Sequence, residues 1–521
     1  MAERRPARTS VAAAFTVWLA LLAGAVPAAQ AYPSATVELT GHGWGHGRGL
    51  GQWGSLGYAL DHGWTYSHIL NHYYGGTTAG SLGADVPMSV HLTRFDGRDA
   101  AVMQERGQLG SSAAAGSYAA LRVRRVGANT FAVDQASSCA GPWSALTQVA
   151  GPITFVPQAP SGDDRASMLQ ACEPDGKRRW LRGSLQVLES GGATRTVNHL
   201  PMESYLRGVV PLESPASWGG LGGGLGMHAL RAQAVAARSY AQAEARAAFA
   251  KTCDTTSCQV YGGVAVRAPN GTITNVEHPN TDTAVQQTSG EVRRMPSGAV
   301  ARTEFSSSTG GWTAGGTFPA VEDLGDTRSP NHNWSASLPV STIESAFPGI
   351  GTLEAVDVTR RNGLGDGGGR VLDVVVRGSS GSVSRTGAQF RYQFGLRSDW
   401  FFVSNPPPPP KTWYLRNSTT TGIADVSFGY GSSGGHVLSC DWDGDGVDTP
   451  GVFQSGRFSV RSSNDAASAE ASFSYGNATD VPVCGDWDAN GTDTVGVVRG
   501  RTWYLRKTNT TGIADLSFSY G

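Results

Sequence analysis

Met227, Leu230, Ala234, Ala237 and Ala241 recur at steps of three and four in "MHALRAQAVAARSYAQAEARAAFAK". That spacing predicts one amphipathic helix over Met227–Lys251. Arg231 and Arg238, seven apart, share another face of it. The preceding "GGLGGGLG" has too many glycines to extend the helix. Elsewhere the apolar positions alternate. "LRVRRV" from Leu121 and "SLQVLE" from Ser184 predict strands, and "VLDVVVRG" from Val371 and "SDWFFVSN" from Ser398 predict closing strands. Residues 32–403 are therefore expected to form an α+β block, with mixed strands around one main helix.

After that block the pattern becomes periodic. "SNPPPPPK", residues 404–411, is a stiff polyproline spacer. Beyond it Trp413, Phe458 and Trp503 stand 45 apart, and "SFGYG" and two copies of "SFSYG" keep the same step. A period of 45 with short aromatic strands resembles β-propeller blades of the FG-GAP type. Residues 412–521 are read as an all-β repeat module whose last unit is incomplete.

Length and charge narrow the class. A chain of 521 residues exceeds one ordinary domain. Arg4, Arg5 and Arg8, an apolar run and "AQA" at Ala29–Ala31 form a secretory leader over 1–31. Three arginines against one glutamate leave with it, so the formal charge of −1 becomes −3. That near-neutrality gives no reason to expect nucleic acid, and no later segment is long and apolar enough to span a membrane. The protein is expected outside the cell or on the cell wall. Six cysteines in a secreted chain invite disulfides. Proximity pairs Cys139 with Cys172, Cys253 with Cys258, and Cys440 with Cys484. Half a zinc site at Cys253 and Cys258 is the alternative for the short loop, disfavoured because no histidine lies within it.

The chemistry concentrates upstream of the helix. "LPMESYLRGVVPLESPASW" followed by "ALRAQAVAARSYA" resembles the core signature of the stage II sporulation protein D (SpoIID), or amidase-enhancer, family. "CDTTSCQVYGG", "TAVQQTSGEV", "FSSSTGGWT" and "FGLRSDWFFV" follow in family order over residues 198–403. "GHGWGHGRGLGQWGSLGYA", residues 41–59, is similar to a motif that many members carry near the domain's end; here it stands at the start. The resemblance implies a lytic transglycosylase acting on peptidoglycan, with Glu213 at the position of the catalytic glutamate. The apolar "GVVPL" before Glu213 and Pro215 and Trp218 after it favour a desolvated carboxyl with a raised pKa. The bland alternative is a salt-bridged surface glutamate. Glu203 sits in the same motif and is read as structural. Arg231, Gln233 and Arg238 match patterned family positions and are candidates for holding substrate or the glutamate.

In the glycine-rich stretch, Trp44 and Trp53 are suited to stack on sugar rings, and His46 and Gln52 to hydrogen-bond hydroxyls. The alternative is a structural loop with core tryptophans. His42 and His46 stand four apart, but in a glycine-rich loop that spacing means little for a metal. The repeats carry a separate chemistry. "DWDGDGVDT" offers Asp441, Asp443, Asp445, the Val447 carbonyl and Asp448; its second copy offers Asp486, Asp488, Asn490 and Asp493. This D-x-D-x-D-G pattern suits calcium, and its recurrence in register favours that over a solvated acidic turn.

The expectation is thus a secreted peptidoglycan lytic transglycosylase with calcium-binding repeats and no cofactor for catalysis. One rival is a non-enzymatic glycan binder that stimulates a cell-wall amidase, in wall remodelling or sporulation. The other is a surface adhesin acting through its repeats.

Overall fold

The computed structural model describes residues 31–520 except 84–85, 161, 406–409, 433 and 468. All but the last residue of the expected leader, most of the proline run and Gly521 lie outside the described residues. No helix among the described residues is long and apolar enough to cross a membrane.

The α-helices among the described residues are α1 (Gln52–Asp61), α2 (Tyr66–Tyr73), α3 (Met202–Arg207), α4 (Val210–Glu213), α5 (Met227–Ala243), α6 (Pro279–Gln287), α7 (Val340–Ala346) and α8 (Gly387–Phe394). α5 is the axis of the block and is buried nearly all round. Ala234, Ala237 and Ala241 face a core of strand residues. Ala232, Val235 and Ala236 face Tyr58 of α1 and Ile69 and Leu70 of α2. Ala229 and Leu230 pack with Trp218 and with Ala284 of α6. Neighbours on every side explain the alanines: a larger side chain would hold these elements apart.

α5 ends at Ala243 rather than at the expected Lys251. Glu244 is extended, Ala247 and Ala250 form an antiparallel bridge, and Thr252–Cys253 joins a sheet in parallel beside Pro87–His91. The Thr252 hydroxyl donates to the Glu244 carboxylate at 2.7 Å. Strand pairing outweighs the helix propensity of the alanines, a term of only tenths of a kcal/mol per residue.

Two sheets enclose the main core. One has six strands in the order Thr252–Cys253, Pro87–His91, Ala193–Pro201, Ser184–Ser190, Ile153–Pro157, Leu109–Ser111. The other has eight and includes Ala120–Gly127, which carries the alternation seen at Leu121. Cys139 is bridged to Cys172 and Cys253 to Cys258, so the short loop holds a disulfide where zinc was the alternative.

A three-stranded sheet solves the placement of the glycine-rich stretch. Thr36–His42 lies antiparallel between Asn333–Pro339 and Phe401–Val403. The chain's beginning is thereby stitched to the end of the block, and the loop after His42 emerges beside the closing motif. Ser404 and Asn405, assigned to the spacer, bond back to this sheet through Glu38 and Tyr32.

α1 packs flat against the 3-10 turn Leu324–Arg328 because of its glycines. A Cβ on Gly57 would run into the Gly325 carbonyl oxygen, and into its Cα at 2.6 Å. Backbone cannot swing aside as a side chain can. Gly57→Ala is therefore expected to destabilise by about 1–3 kcal/mol and to loosen α1. Gly349, whose Cβ position is open, serves as the control: thermal unfolding should register Gly57→Ala and hardly move for Gly349→Ala.

The C-terminal residues form a hairpin, Pro410–Leu415 with Val426–Ser432, and two four-stranded antiparallel sheets. The first runs His436–Cys440, Thr449–Gln454, Arg457–Val460, Ala471–Ser474; the second runs Val481–Gly485, Thr494–Arg499, Thr502–Leu505, Leu516–Ser519. The sheets thus keep the 45-residue step, but their phase differs from the expectation. Thr502 does not open a new unit; it begins the third strand of a four-stranded sheet. The two-stranded unit is the first, and its strand already includes Pro410 and Lys411 of the expected spacer. No closed propeller or barrel forms among the described residues. Cys440 is bridged to Cys484, tying the first strands of adjacent sheets, and Phe453, Phe458, Phe473, Val495 and Val497 share one core across them.

Candidate active site

Glu213 ends the single turn α4. Val209 and Val210 are buried in the main core, and Pro211 sits in the first turn of α4. That anchorage turns the other side of the turn outward: Leu212 is exposed and Glu213 half-buried. Ser214 is extended and Pro215 follows, so the helix cannot continue past the glutamate.

Two groups hold the carboxyl. Gln52 Nε2 donates to Oε2 at 3.3 Å, and the Val260 backbone N–H donates to Oε1 at 3.3 Å. Glu213 forms no ion pair among the described residues, so the salt-bridged surface reading does not apply. Burial raises its pKa, and the hydrogen bonds from Gln52 and Val260 offset only part of that. The result is a carboxyl that keeps its proton to higher pH than a free glutamate.

Gln52 reaches Glu213 because of what surrounds it. It is the first residue of α1, and Leu50–Gly51 pairs in parallel with Phe305–Ser306 of the "FSSSTGGWT" motif. Trp53 N–H donates to the Ser307 carbonyl at 3.1 Å, and Trp44 exchanges backbone hydrogen bonds with Ser308 at 2.9 and 3.1 Å. Beneath α1, Asp323 accepts the Thr309 hydroxyl at 2.7 Å and lies against Gly51 and Gly54. Burial first, and the charge of Asp326 second, push the Asp323 pKa up to about 7.

The other candidates divide. Trp44 is 47 % exposed, whereas Trp53 leans edge-on against core Trp218 with centroids 5.0 Å apart. His46 is not bonded to Glu213; its Nδ1 accepts the Arg48 N–H at 3.0 Å. Burial, then the charge of Arg48, bring its pKa down to about 4, so the ring is neutral at physiological pH. Gln233 is fully buried on α5, and neither its Nε2 nor its Oε1 has a hydrogen-bond partner among the described residues. Arg231 is turned aside, donating to Gln287 Oε1 at 2.8 Å and touching His228. Arg238 is closed off from solvent: its side chain has no exposed surface and forks onto Glu203 at 2.9 and 2.6 Å. Glu203 is accordingly structural.

The Val260 amide was not foreseen, since a backbone group leaves no mark on residue identity. Its signal was the motif around it. The Cys253–Cys258 bridge tightens the preceding loop, and buried Gln259 accepts from Tyr205 Oη at 3.0 Å and donates to the Ala237 carbonyl at 3.3 Å. Those anchors aim the next residue's N–H at the glutamate. Cavities of about 410 Å³ around Arg94 and Glu173 and about 500 Å³ around His42 and Asp366 are lined by neither Glu213 nor Gln52.

In the first aspartate loop, Asp441 accepts the N–H groups of Gly444, Asp445 and Gly446 at 2.8, 3.1 and 2.8 Å. One oxygen each of Asp441, Asp443 and Asp445 falls within a 4.8 Å cluster. Val447 donates its N–H to Asp445, and the Asp448 carbonyl accepts from Asn464. In the second loop Asp486 accepts from Asn490 and Gly491 at 3.0 and 2.8 Å, while Asp488 is exposed. Asp493 instead reaches across to the first loop, its Oδ2 accepting the Asp441 N–H at 3.1 Å.

Residues 190–294, which carry α3 to α6 and Glu213, match the model of the family described as stage II sporulation protein. A curated relative, the amidase enhancer of Bacillus subtilis (strain 168), is 33 % identical over 146 residues, which is 27 % of this chain. The chain spans only 18 % of that relative's length. No solved structure matches. The family resemblance read from the motifs is borne out over residues 190–294.

Proposed function

From the match of residues 190–294 to the stage II sporulation protein family, we propose that the protein remodels the bacterial cell wall as a peptidoglycan lytic transglycosylase with Glu213 as acid and base. The observation that carries this reading is the Glu213 carboxyl: half-buried, raised in pKa, unpaired by any cation, and held by two neutral donors. Such a group can protonate the glycosidic oxygen of a glycan strand as that bond to C1 breaks. The carboxylate left behind accepts the proton of the muramoyl 6-hydroxyl while its oxygen bonds to C1. The glutamic acid is regenerated and the product ends in a 1,6-anhydro ring. Hydrolysis would need a second carboxylate to activate water or attack carbon; the internal hydroxyl removes that need.

Trp44 offers a ring face at the same loop, and buried Gln52 orients Glu213. The amide of Gln233 is also buried and has no partner among the described residues. Mass spectrometry of isolated glycan strands incubated with the mature protein tests the reaction. Anhydro-muramic ends support it, and reducing muramic ends mean hydrolysis.

A second reading rests on the relative's name. In it the protein binds strands and enhances a cell-wall amidase without cleaving them. An amidase assay with and without this protein, on strands it fails to cut, separates the two.

We also propose calcium at the Asp441–Asp448 loop, with the Asp486–Asp493 loop as its weaker copy. Three carboxylates within reach of one ion repel one another until a cation arrives. Binding only to the folded state adds about 2.7 kcal/mol at a hundredfold excess over Kd. Calcium is expected to raise the melting temperature of the C-terminal transition of the full chain by several degrees. Superimposable melting curves with calcium and with a chelator would remove the site.

A further inference from the structure

The glycine-rich loop also meets the end of α8, and positive charge collects there. Gly45 N–H donates to the Arg397 carbonyl at 2.9 Å, and Gly45 bridges Ser398 in parallel. The Arg397 guanidinium lies 5.7 Å from the centre of the Trp44 ring and donates to Asn331 at 2.9 Å. Among the described residues Arg391 donates to the Leu396 carbonyl alone, at 3.3 Å. Neither arginine has a carboxylate partner among the described residues. The acids nearby are already taken: Glu304 is forked by Arg48 at 3.0 Å, and Asp399 is paired with Arg370.

The remaining groups at this ledge are donors and ring faces. His46 spends Nδ1 as the acceptor of the Arg48 N–H, so a neutral ring carries its proton on Nε2 and presents a donor. Tyr392 is 76 % exposed and Trp44 47 %. Burial lowers the pKa of half-buried Arg391; Tyr392 and the Asp399 carboxylate act against that, and the charges of Arg370 and Arg48 add to it. A partly desolvated guanidinium without a carboxylate of its own is favoured when an anion arrives.

We propose that Trp44, His46, Arg391 and Arg397 form a subsite for an oxyanion substituent, a carboxylate or a phosphate, on a bound polysaccharide strand. The protein then selects acidic strands over neutral ones. This rests on the reading above that the site of Gln52 and Glu213 takes a glycan. Guanidinium groups fork onto carboxylate and phosphate alike, while Trp44 and Tyr392 supply faces for the sugars that carry them.

Equilibrium binding to the full chain bearing Glu213→Gln, which leaves strands intact, tests the subsite. Three probes of equal length are compared: neutral N-acetylglucosamine oligomers, oligomers with a carboxylate on alternate sugars, and oligomers with a phosphate there. At least one acidic probe should bind about 10–100-fold tighter than the neutral one at low salt, with the advantage shrinking at high salt. Whichever acidic probe gains names the anion. In Arg391→Gln/Arg397→Gln the acidic-to-neutral ratio should fall toward one. Arg397→Gln alone, at an exposed position, should lower it part of the way and covers the case where the double variant does not fold. Equal affinity for all three probes overturns the subsite and leaves glycan binding standing. Binding to none overturns both.

Discussion

Glu213→Gln is expected to lower strand cleavage by about 10²–10⁴-fold while the protein folds and still binds glycan. Glutamine keeps the shape and still accepts the Val260 N–H, but it cannot deliver a proton. The pH dependence follows from the direction of the shift. Burial raises the Glu213 pKa, so the acid form persists above the ordinary carboxylate range, and cleavage should fall as pH rises through the raised value. For stability, a folded-state pKa above the unfolded one means that the folded state binds the proton more tightly. The associated stability is full below the unfolded pKa and is lost as pH rises through the folded one. Above that window Glu213→Gln should melt no lower than wild type. Undiminished cleavage by Glu213→Gln would discard the assignment. Glu203, committed to Arg238, would be a poor successor. If neither protein cuts any strand, the amidase-enhancing reading takes over.

Arg238→Ala should cost about 3–5 kcal/mol of stability, the usual effect of breaking a buried ion pair by removing one partner. The guanidinium bonds both oxygens of Glu203 and also the carbonyls of Glu291 and Val285, at 3.1 and 3.2 Å. The Gly290 N–H donates to the same glutamate at 3.1 Å. Removing Arg238 therefore strands a carboxylate and two carbonyls between α3, α5 and α6. Arg238→Lys keeps the charge but not the fork and should recover only part of the loss. Denaturant unfolding checks the size. A substrate-binding arginine would behave oppositely, weakening strand affinity with unfolding unchanged.

The family motifs made the candidate glutamate legible because its chemical context is local. "GVVPLESP" combines two buried valines, a helix-limiting proline and the acid within eight residues. The same spacing logic separated poorly between Arg231, Gln233 and Arg238. All three lie on one helix, and a helix buried on nearly every side has no single polar face. Arg231 faces Gln287, Gln233 is sealed without a partner, and Arg238 is sealed with Glu203. Periodicity states which residues share a face; it does not state what packs against that face.

Sequence alone determined the repeat step of 45, the cysteine neighbours, the existence of α5 and the identity of the candidate acid. Each depends on residues close in the chain, where propensity, spacing and turn chemistry act directly. Tertiary structure decided where α5 stops, because pairing of Thr252–Cys253 with Pro87–His91 outweighs local helix preference. It decided the phase of the repeat sheets, because a motif marks a period and not the strand at which a sheet begins. Above all it brought Gln52 to Glu213 across 161 positions of chain. That contact exists because Thr36–His42 is held between Asn333–Pro339 and Phe401–Val403. Backbone hydrogen bonds between strands carry little side-chain signature, so a motif at the wrong end of the sequence takes its place in the site only once the sheet closes.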